Sequence, residues 1–436
     1  MKTIGIIGGG AAGMMAACLA KEQNPDSHVM LFEKNAYLGA KVIISGGGRC
    51  NVTTGITDVR ELLKNYPRGA KFLMTALYRF PPEKVMQWFE NHGVPLKTEE
   101  DLRVFPKSDN GKDVVGALEK EMRKKNVKIF CKAPVQSITQ KVAPTSRRGI
   151  IGLASPRLGL KEKKFVITQQ DGKAYECDAV IITTGGNAYR HTGSTGDGYA
   201  FAQSLGHTIT PLAASLSSFN AAEPWVKNLA GVSFEKAAFT FAREGNSKTY
   251  ERTGAFVFTH RGVSGPAVFA LSSFCAYEAI SPQTSWQLTI DFFPDESTQS
   301  FTKRFQNLVL KNPKKNIENF LDMLLPKSLC GAVLEVSGAA STLMAGSLSK
   351  QNREKIISLL KGFPLTIIGR SAGEEFVTAG GVSLSEVNTN TMESKICPGL
   401  FFAGEILDID GFTGGFNLQA SWATGALAGE CASAFL

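Results

Sequence analysis

The stretch Thr3-Ile-Gly-Ile-Ile-Gly-Gly-Gly-Ala-Ala-Gly13, followed by Val29-Met-Leu-Phe32 and Glu33, decides how the N-terminal part of this chain folds. Thr3 to Ile7 is a β-branched run, Ala11 to Lys21 has helical composition, and Val29 to Phe32 is a second short apolar run. Strand, helix and strand make a βαβ unit. Gly8, Gly10 and Gly13 form a G-x-G-x-x-G turn between the strand and the helix, with Glu33 twenty residues beyond Gly13. Gly8 permits the tight turn, Gly10 lets backbone approach a pyrophosphate, and Gly13 lets helix and sheet pack closely. Unpaired N–H groups of the first helical residues, Ala11 and Ala12 among them, favour phosphate oxygens. Glu33 can accept hydrogen bonds from a ribose diol. The pattern predicts dinucleotide binding without separating FAD from NAD.

A second glycine cluster separates them. Gly39-Ala40-Lys41 and Ser45-Gly46-Gly47-Gly48-Arg49-Cys50-Asn51 follow soon after Glu33, where an extended loop can pass along a pyrophosphate and reach a flat ring. Consecutive glycines let backbone lie against such a ligand, and Arg49 can answer phosphate charge. A plain NAD-binding domain has no need of this loop, so the cofactor expected is FAD. A third cluster is the strand Val180-Ile-Ile-Thr-Thr184 ending in Gly185 and Gly186. The fourth runs from Gly399 through Gly404 and Glu405 to Gly414, Gly415, Asn417 and Leu418, with a helix expected to begin near Leu418 and to aim its N-terminus at the flavin. Lys34 and Val135 complete the expected cofactor contacts.

The motifs SGGGRCN (45–51), THRGVSGP (259–266), TAGGV (378–382), TMESK (391–395) and GLFFAGEILDIDGFTGGFNLQ (399–419) resemble those of the BaiN/YhiN-type (RdsA-like) family of bacterial NAD(P)/FAD-dependent oxidoreductases. The resemblance runs from Ile4 to Gly425. It implies an α/β fold: a Rossmann-like FAD-binding domain of the two-dinucleotide-binding-domain flavoprotein type, with an inserted β-rich domain and a helical subdomain. The boundaries expected are 1–198 with 379–436 for the FAD domain, 199–295 completed by 363–378 for the β-rich domain, and 296–362 for the helical subdomain. Family members are associated with reduction of uridine to dihydrouridine in 23S ribosomal RNA, reduction of unsaturated oxo-bile acids, and oxidation of small amino ketones. An RNA-binding factor with a structural flavin is a further alternative. No second G-x-G-x-x-G is present, so NAD(P)H is expected to bind only transiently, as electron donor at the flavin face.

The 436 residues carry a net charge of +9, and the charge is uneven. Lys141, Arg147, Arg148, Arg157, Lys161, Lys163 and Lys164 face the single acid Glu162. Such a segment either holds a polyanion such as ribosomal RNA by counterion release or is a solvated insertion. It lies outside the family pattern. The strand at the N-terminus does not read as a targeting peptide, and no apolar run approaches the roughly 20 residues of a bilayer span. The eight cysteines show no C-x-x-C pair, so no metal site is expected and the thiols are read as reduced in the cytoplasm.

Three residues are catalytic candidates. Cys50 follows the glycine loop and can either give a proton to a substrate carbon or simply pack. His260 can either shuttle a proton or brace the Gly262–Pro266 turn. Arg261 can either grip an anionic substrate or brace a carboxylate. Asp408 and Asp410 can bind a ribityl chain or cap the following helix.

Overall fold

The computed structural model describes residues 2–142, 163–245, 247–371, 373 and 375–435. Two compact units emerge, Met1–Ala213 with Val377–Leu436, and Ala214–Phe376. The first unit runs through β1 (Thr3–Ile7), α1 (Ala11–Gln23), β2 (His28–Phe32), α2 (Ala70–Arg79), α3 (Pro82–Asn91), α4 (Gly111–Lys124), β3 (Lys128–Phe130), β4 (Val135–Val142), β5 (Lys163–Gln169), β6 (Ala174–Cys177), β7 (Ala179–Ile182) and α5 (Asp197–Ser204). The second holds β8 (Phe219–Ala221), β9 (Ser233–Ala242), β10 (Thr249–Phe258), β11 (Gly262–Ser264), α6 (Pro266–Phe274), β12 (Trp286–Asp291), α7 (Thr298–Lys311), α8 (Ile317–Leu321), α9 (Lys327–Ser337), α10 (Lys350–Lys361) and β13 (Phe363–Arg370). The chain then returns to the first unit with β14 (Leu400–Phe402) and α11 (Phe416–Ala434).

The first unit is built on a five-stranded parallel sheet of order β14-β7-β1-β2-β3. Its central strands are unbroken apolar runs because layers cover them. At Gly5 the cover is the antiparallel sheet β4-β5-β6, where a Cβ would fall 2.3 Å from the Ile167 methyl. Elsewhere it is α1 and α11, which pack on each other along their lengths. Gly425 and Gly429 meet α1 so closely that a Cβ would stand 2.4 Å from the Ala12 carbonyl oxygen and 2.2 Å from that of Ala16. Every residue of α1 from Ala11 to Ala20 is buried. That explains why the sequence of α1 shows no polar face.

The boundary expected at residue 198 falls later, at Ala213. The segment after α5 is hydrogen-bonded to the C-terminal part of the same unit, Thr210 N to Gly381 O at 2.8 Å and Ser383 N to Thr208 O at 3.0 Å. Of the basic segment, Lys141 lies on β4 and pairs with Glu176 at 2.7 Å, and Lys164 lies on β5, 3.8 Å from Asp178. Lys163 opens β5, while Arg147, Arg148, Arg157 and Lys161 lie outside the described residues.

The second unit is a closed antiparallel barrel, in order β8-β11-β10-β9-β12-β13. Alternate inward positions are filled by aromatic rings: Phe241 stacks on Phe219 and on Trp286, both at 4.9 Å, and Phe239 meets Phe256 edge-on at 5.0 Å. The helical region is not a separate body. Phe301, Phe305 and Val309 of α7, spaced by four, join the barrel residues in one core. Ser297, Asn316 and Ser349 each cap a helix by accepting a backbone N–H, as at Asn316 Oδ1 from Glu318 N, 2.9 Å. Among the described residues no helix is long and apolar enough to cross a membrane.

Replacing Gly425 with Val is expected to cost at least about 1–3 kcal/mol by overpacking α1. Gly116→Ala, inside α4 with open space at its Cβ position, is expected to gain up to about 1 kcal/mol from helix propensity. Urea unfolding of both variants checks the pair of signs, and an unchanged midpoint for the Val variant refutes the α1–α11 contact.

Candidate active site

The turn between β1 and α1 is shaped by what its glycines touch. Gly8 has a left-handed backbone (φ 109°), and a Cβ there would fall 2.5 Å from the Thr183 carbonyl oxygen. At Gly13 a Cβ would fall 2.0 Å from the Gly8 oxygen. Gly10 differs, because nothing lies within 4 Å of its Cβ position. Two glycines thus serve packing and the third faces open space, where a ligand can approach the backbone. No side chain caps the N-terminus of α1, which leaves the amides of Ala11, Ala12 and Gly13 for an anion.

Glu33, buried at the end of β2, does structural work as well. Its Oε2 accepts from Gly9 N at 2.8 Å and its Oε1 from Asn35 N at 2.7 Å. Each carboxylate oxygen keeps a second lone pair for a ribose hydroxyl. Lys132 N and Ala133 N donate to the Asn35 and Glu33 carbonyls, which brings the start of β4 and half-buried Val135 alongside. Lys34 donates to Asp197 Oδ2 at 2.6 Å and to Thr195.

The loop 45–51 is left-handed at Gly46, Gly47, Gly48 and also at Cys50 (φ 61°). Gly47 and Gly48 again have open space at their Cβ positions. Ser45 Oγ donates to the Val42 carbonyl at 2.7 Å, and Asn51 Oδ1 accepts from Val104 N at 3.3 Å. Arg49 is held by Asp109 at 2.8 Å and by Glu99, and its guanidinium lies 3.8 Å from the centre of the Phe105 ring. Arg49 thus braces two carboxylates in this structure. Cys50 has 0 % exposure, and burial pushes its thiol up to about 12, against a smaller opposing effect of the hydrogen bond with Ser45. The thiol is therefore neutral at ordinary pH.

Two further segments meet these. At the end of β7, Gly186 allows no side chain: a Cβ would stand 2.6 Å from Thr378 Oγ1 and 2.9 Å from Glu405 Oε1. Thr378 Oγ1 accepts from Asn187 N at 2.7 Å, Glu405 Oε1 from Thr378 N at 3.0 Å, and Glu405 Oε2 from Lys41 Nζ at 2.7 Å. One network thus ties the ends of β7 and β14 to the loop after β2. The buried hydroxyl of Thr184, before Gly185, finds no hydrogen-bond partner among the described residues. Gly404 lies 2.9 Å from the Ala12 methyl, measured from its Cβ position, and its N–H donates to Thr424.

The last helix, α11, begins at Phe416, two residues before the start expected from sequence. Asn417 and Leu418 therefore lie in its first turn. Asn417 closes the preceding loop, accepting from Gly411 N and donating to Gly411 O, both at 2.8 Å. Gly415 packs on Thr53, whose oxygen would lie 2.3 Å from a Cβ. Gly414 is also left-handed (φ 134°).

Sequence reasoning missed the partners that hold this turn. Asp410, fully buried, pairs with Arg68, and Tyr66 OH donates to the Phe416 carbonyl at 2.8 Å. Asp410 caps no helix. Asp408 is half-buried, and burial raises its carboxyl above the usual range. Arg68 and Tyr66 sit in no motif, so only the chain's return to the same place reveals them. His207 is buried: Nε2 lies 2.8 Å from Ser394 Oγ and Nδ1 3.3 Å from Glu386.

His260 and Arg261 belong to the second unit, exposed on the turn between β10 and β11. Thr259 Oγ1 accepts from Arg261 N (3.3 Å) and Gly262 N (3.1 Å), and Arg261 O accepts from Ala221 N (2.8 Å). Among the described residues, Glu22, His92 and Glu121 are grouped closely enough to suggest a metal. Lys125 Nζ, 2.7 Å from Glu22 and 3.2 Å from Glu121, already supplies the positive charge there.

The donor set fits FAD. Open space at Gly10, Gly47 and Gly48, uncapped amides of α1, a buried free hydroxyl at Thr184 and a carboxylate at Glu33 all lie within one unit. The family model described as HI0933-like protein Rossmann domain matches residues 2–431. The chain is 32% identical over 434 residues to the 3-dehydro-bile acid delta(4,6)-reductase of Clostridium scindens, covering 99% of both chains. It is 28% identical over 426 residues to the ribosomal RNA dihydrouridine synthase of Escherichia coli, covering 96% of this chain and 95% of that one. Among solved structures, the 3-ketosteroid delta1-dehydrogenase of Sterolibacterium denitrificans superposes with a TM-score of 0.50 at 12% identity over 100% of both chains, a likeness of fold alone.

Gly10→Val is expected to fold with the wild-type Tm as apoprotein yet to retain at least tenfold less FAD, read from the ratio of flavin to protein absorbance. Gly13→Val is expected to lose the fold itself. Equal flavin content in wild type and Gly10→Val rules out Gly10 as the approach point. In the native protein, iodoacetamide at pH 8 is expected to label exposed Cys131 and spare Cys50. Rapid labelling of Cys50 in the peptide map contradicts its burial.

Proposed function

This chain belongs to the HI0933-like family of flavin oxidoreductases, and from that premise we propose that it reduces a carbon–carbon double bond conjugated to a carbonyl, with uridine of 23S ribosomal RNA as substrate. FAD held in this unit would supply the hydride, with NAD(P)H as the proposed transient donor that recharges it. For uridine the balance is hydride to C6 and a proton to C5, with dihydrouridine and NAD(P)+ as products.

The chain's own residues do the rest. Gly10, beyond the tight turn at Gly8, and the amides of Ala11, Ala12 and Gly13 would hold the pyrophosphate, and Glu33 would take the ribose with Lys34 and Val135 beside it. Lys41, Ser45–Asn51, Thr184–Gly186, Gly404, Glu405, Gly414, Gly415, Asn417 and Leu418 frame the remainder. Uncapped amides at the start of α11 offer a positive end to a reduced, anionic cofactor. His260 and Arg261, exposed on one turn of the second unit, are the proposed proton shuttle and grip for negative charge. Cys50, neutral and enclosed, can give a proton only to an atom that reaches it, and its burial favours packing.

What carries the cofactor assignment is the set of open glycine positions in the unit that holds the uncapped start of α1. What supports RNA is the charge, a net +9 with seven basic residues against one acid between residues 141 and 164. Reduction of a small steroidal enone is the second reading, favoured by the 32% identical bile-acid reductase.

The test is anaerobic. NADPH, then NADH, is expected to bleach the bound flavin, and unmodified 23S ribosomal RNA is expected to restore the colour with formation of dihydrouridine. Bleaching with inert RNA and an active bile-acid enone moves the substrate to small molecules. No bleaching by either nicotinamide overturns the reductase and leaves an oxidase, recognised by peroxide release, or a structural flavin.

A further inference from the structure

Within the second unit, residues 297–317 hold Lys303, Arg304, Lys311, Lys314 and Lys315 and no acid. The helix α7 buries Phe301, Phe305 and Val309 and turns the other side to water. Lys303, Asn307 and Leu310 follow one another on α7 at spacings of four and three, so they share its outer face, and they are exposed, as is Lys314 in the turn beyond the helix. Lys311, at the end of α7, and Lys315, in the turn, are exposed too. Arg304 is taken by Glu296 at 2.7 Å, but Lys303, Lys311, Lys314 and Lys315 have no ion-pair partner among the described residues. Most other lysines singled out above are paired, including Lys34, Lys41, Lys125, Lys141 and Lys164.

Fold energetics do not account for these charges. Lys311, in the last turn of α7, is favourable to its helix, but Lys314 and Lys315 stand just before the N-terminus of α8, where positive charge has the wrong sign. Leu310 is 76 % exposed amid them, and Met344, 46 % exposed, bridges to Asn316 next to Lys315. Lysines without partners, set around small apolar contacts, match a chain of phosphates carrying sugars and bases.

We propose that the outer face of α7 and the turn 312–316 form a docking surface for the phosphate backbone of RNA. The inference rests on the RNA reading of the function and extends it to a second basic region, independent of residues 141–164. The contacts are to phosphate, so the surface positions the RNA without selecting its sequence.

The experiment uses the full-length, FAD-loaded protein and its K303E/K311E/K314E/K315E variant, with in vitro transcribed 23S ribosomal RNA as probe. Wild type is expected to bind with a steep salt dependence. The variant should bind at least tenfold more weakly, with a salt exponent lower by about 2–4, unchanged bleaching by NADPH and an undiminished Tm. Its dihydrouridine yield should fall at low RNA and recover at saturating RNA, a KM effect. Replacing the same four lysines with arginine should keep wild-type binding. Equal affinity and salt exponent in wild type and the Glu variant, while wild type still makes dihydrouridine, overturns the surface and leaves the function standing. A wild type that neither binds nor modifies RNA overturns both. Preference for anionic phospholipid vesicles over RNA, lost in the Glu variant, also overturns the proposal by assigning the face to a membrane.

Discussion

The first unit depends on how closely the backbone of α1 is approached by other backbone. Gly13 rests on the Gly8 carbonyl, and Gly425 and Gly429 rest on the carbonyls of Ala12 and Ala16. No side chain fits in any of these contacts, so the helix is held at a separation that a single methyl group would change. Interiors are packed tightly enough that such a change is felt across neighbouring layers. The consequence for function is direct, because the uncapped N-terminus of α1 can receive a phosphate only from the position these contacts give it.

Around that fixed helix end, the other glycine segments are drawn in by polar ties. Lys41, Glu405 and Thr378 come from three distant parts of the sequence and join in one hydrogen-bonded network. Asp410 and Arg68 form a buried ion pair beneath the last glycine turn. A buried pair of this kind adds little net stability, yet losing one partner leaves a charge without compensation. Its effect is to hold the turn in one conformation. Left-handed Cys50 likewise persists because its surroundings over-determine it.

The second unit follows different physics. Its core is filled with stacked and edge-on aromatic rings and takes in ten of the chain's 28 phenylalanines. Helices α7 to α10 extend the same core and are capped by Ser and Asn side chains at three N-termini. The His260–Arg261 turn and the lysine face of α7 are exposed parts of this unit.

Much of this was legible in the sequence by itself. Gly8, Gly10, Gly13 and Glu33 state the βαβ unit because the required backbone close to a phosphate admits only certain residue types at set spacings. The helical character of 296–362 was legible too, and glycine clusters marked the candidate site. Tertiary structure alone decided the partners. That Arg49 answers Glu99 and Asp109, that Asp410 answers Arg68, and that Cys50 is enclosed follow from which segments meet after folding. The helical region's merger with the barrel, and the boundary at Ala213, were decided there too, since both depend on contacts between residues far apart in the chain. Local spacing carries information about what the backbone must do at each point. It carries none about which distant side chain will neutralise a charge.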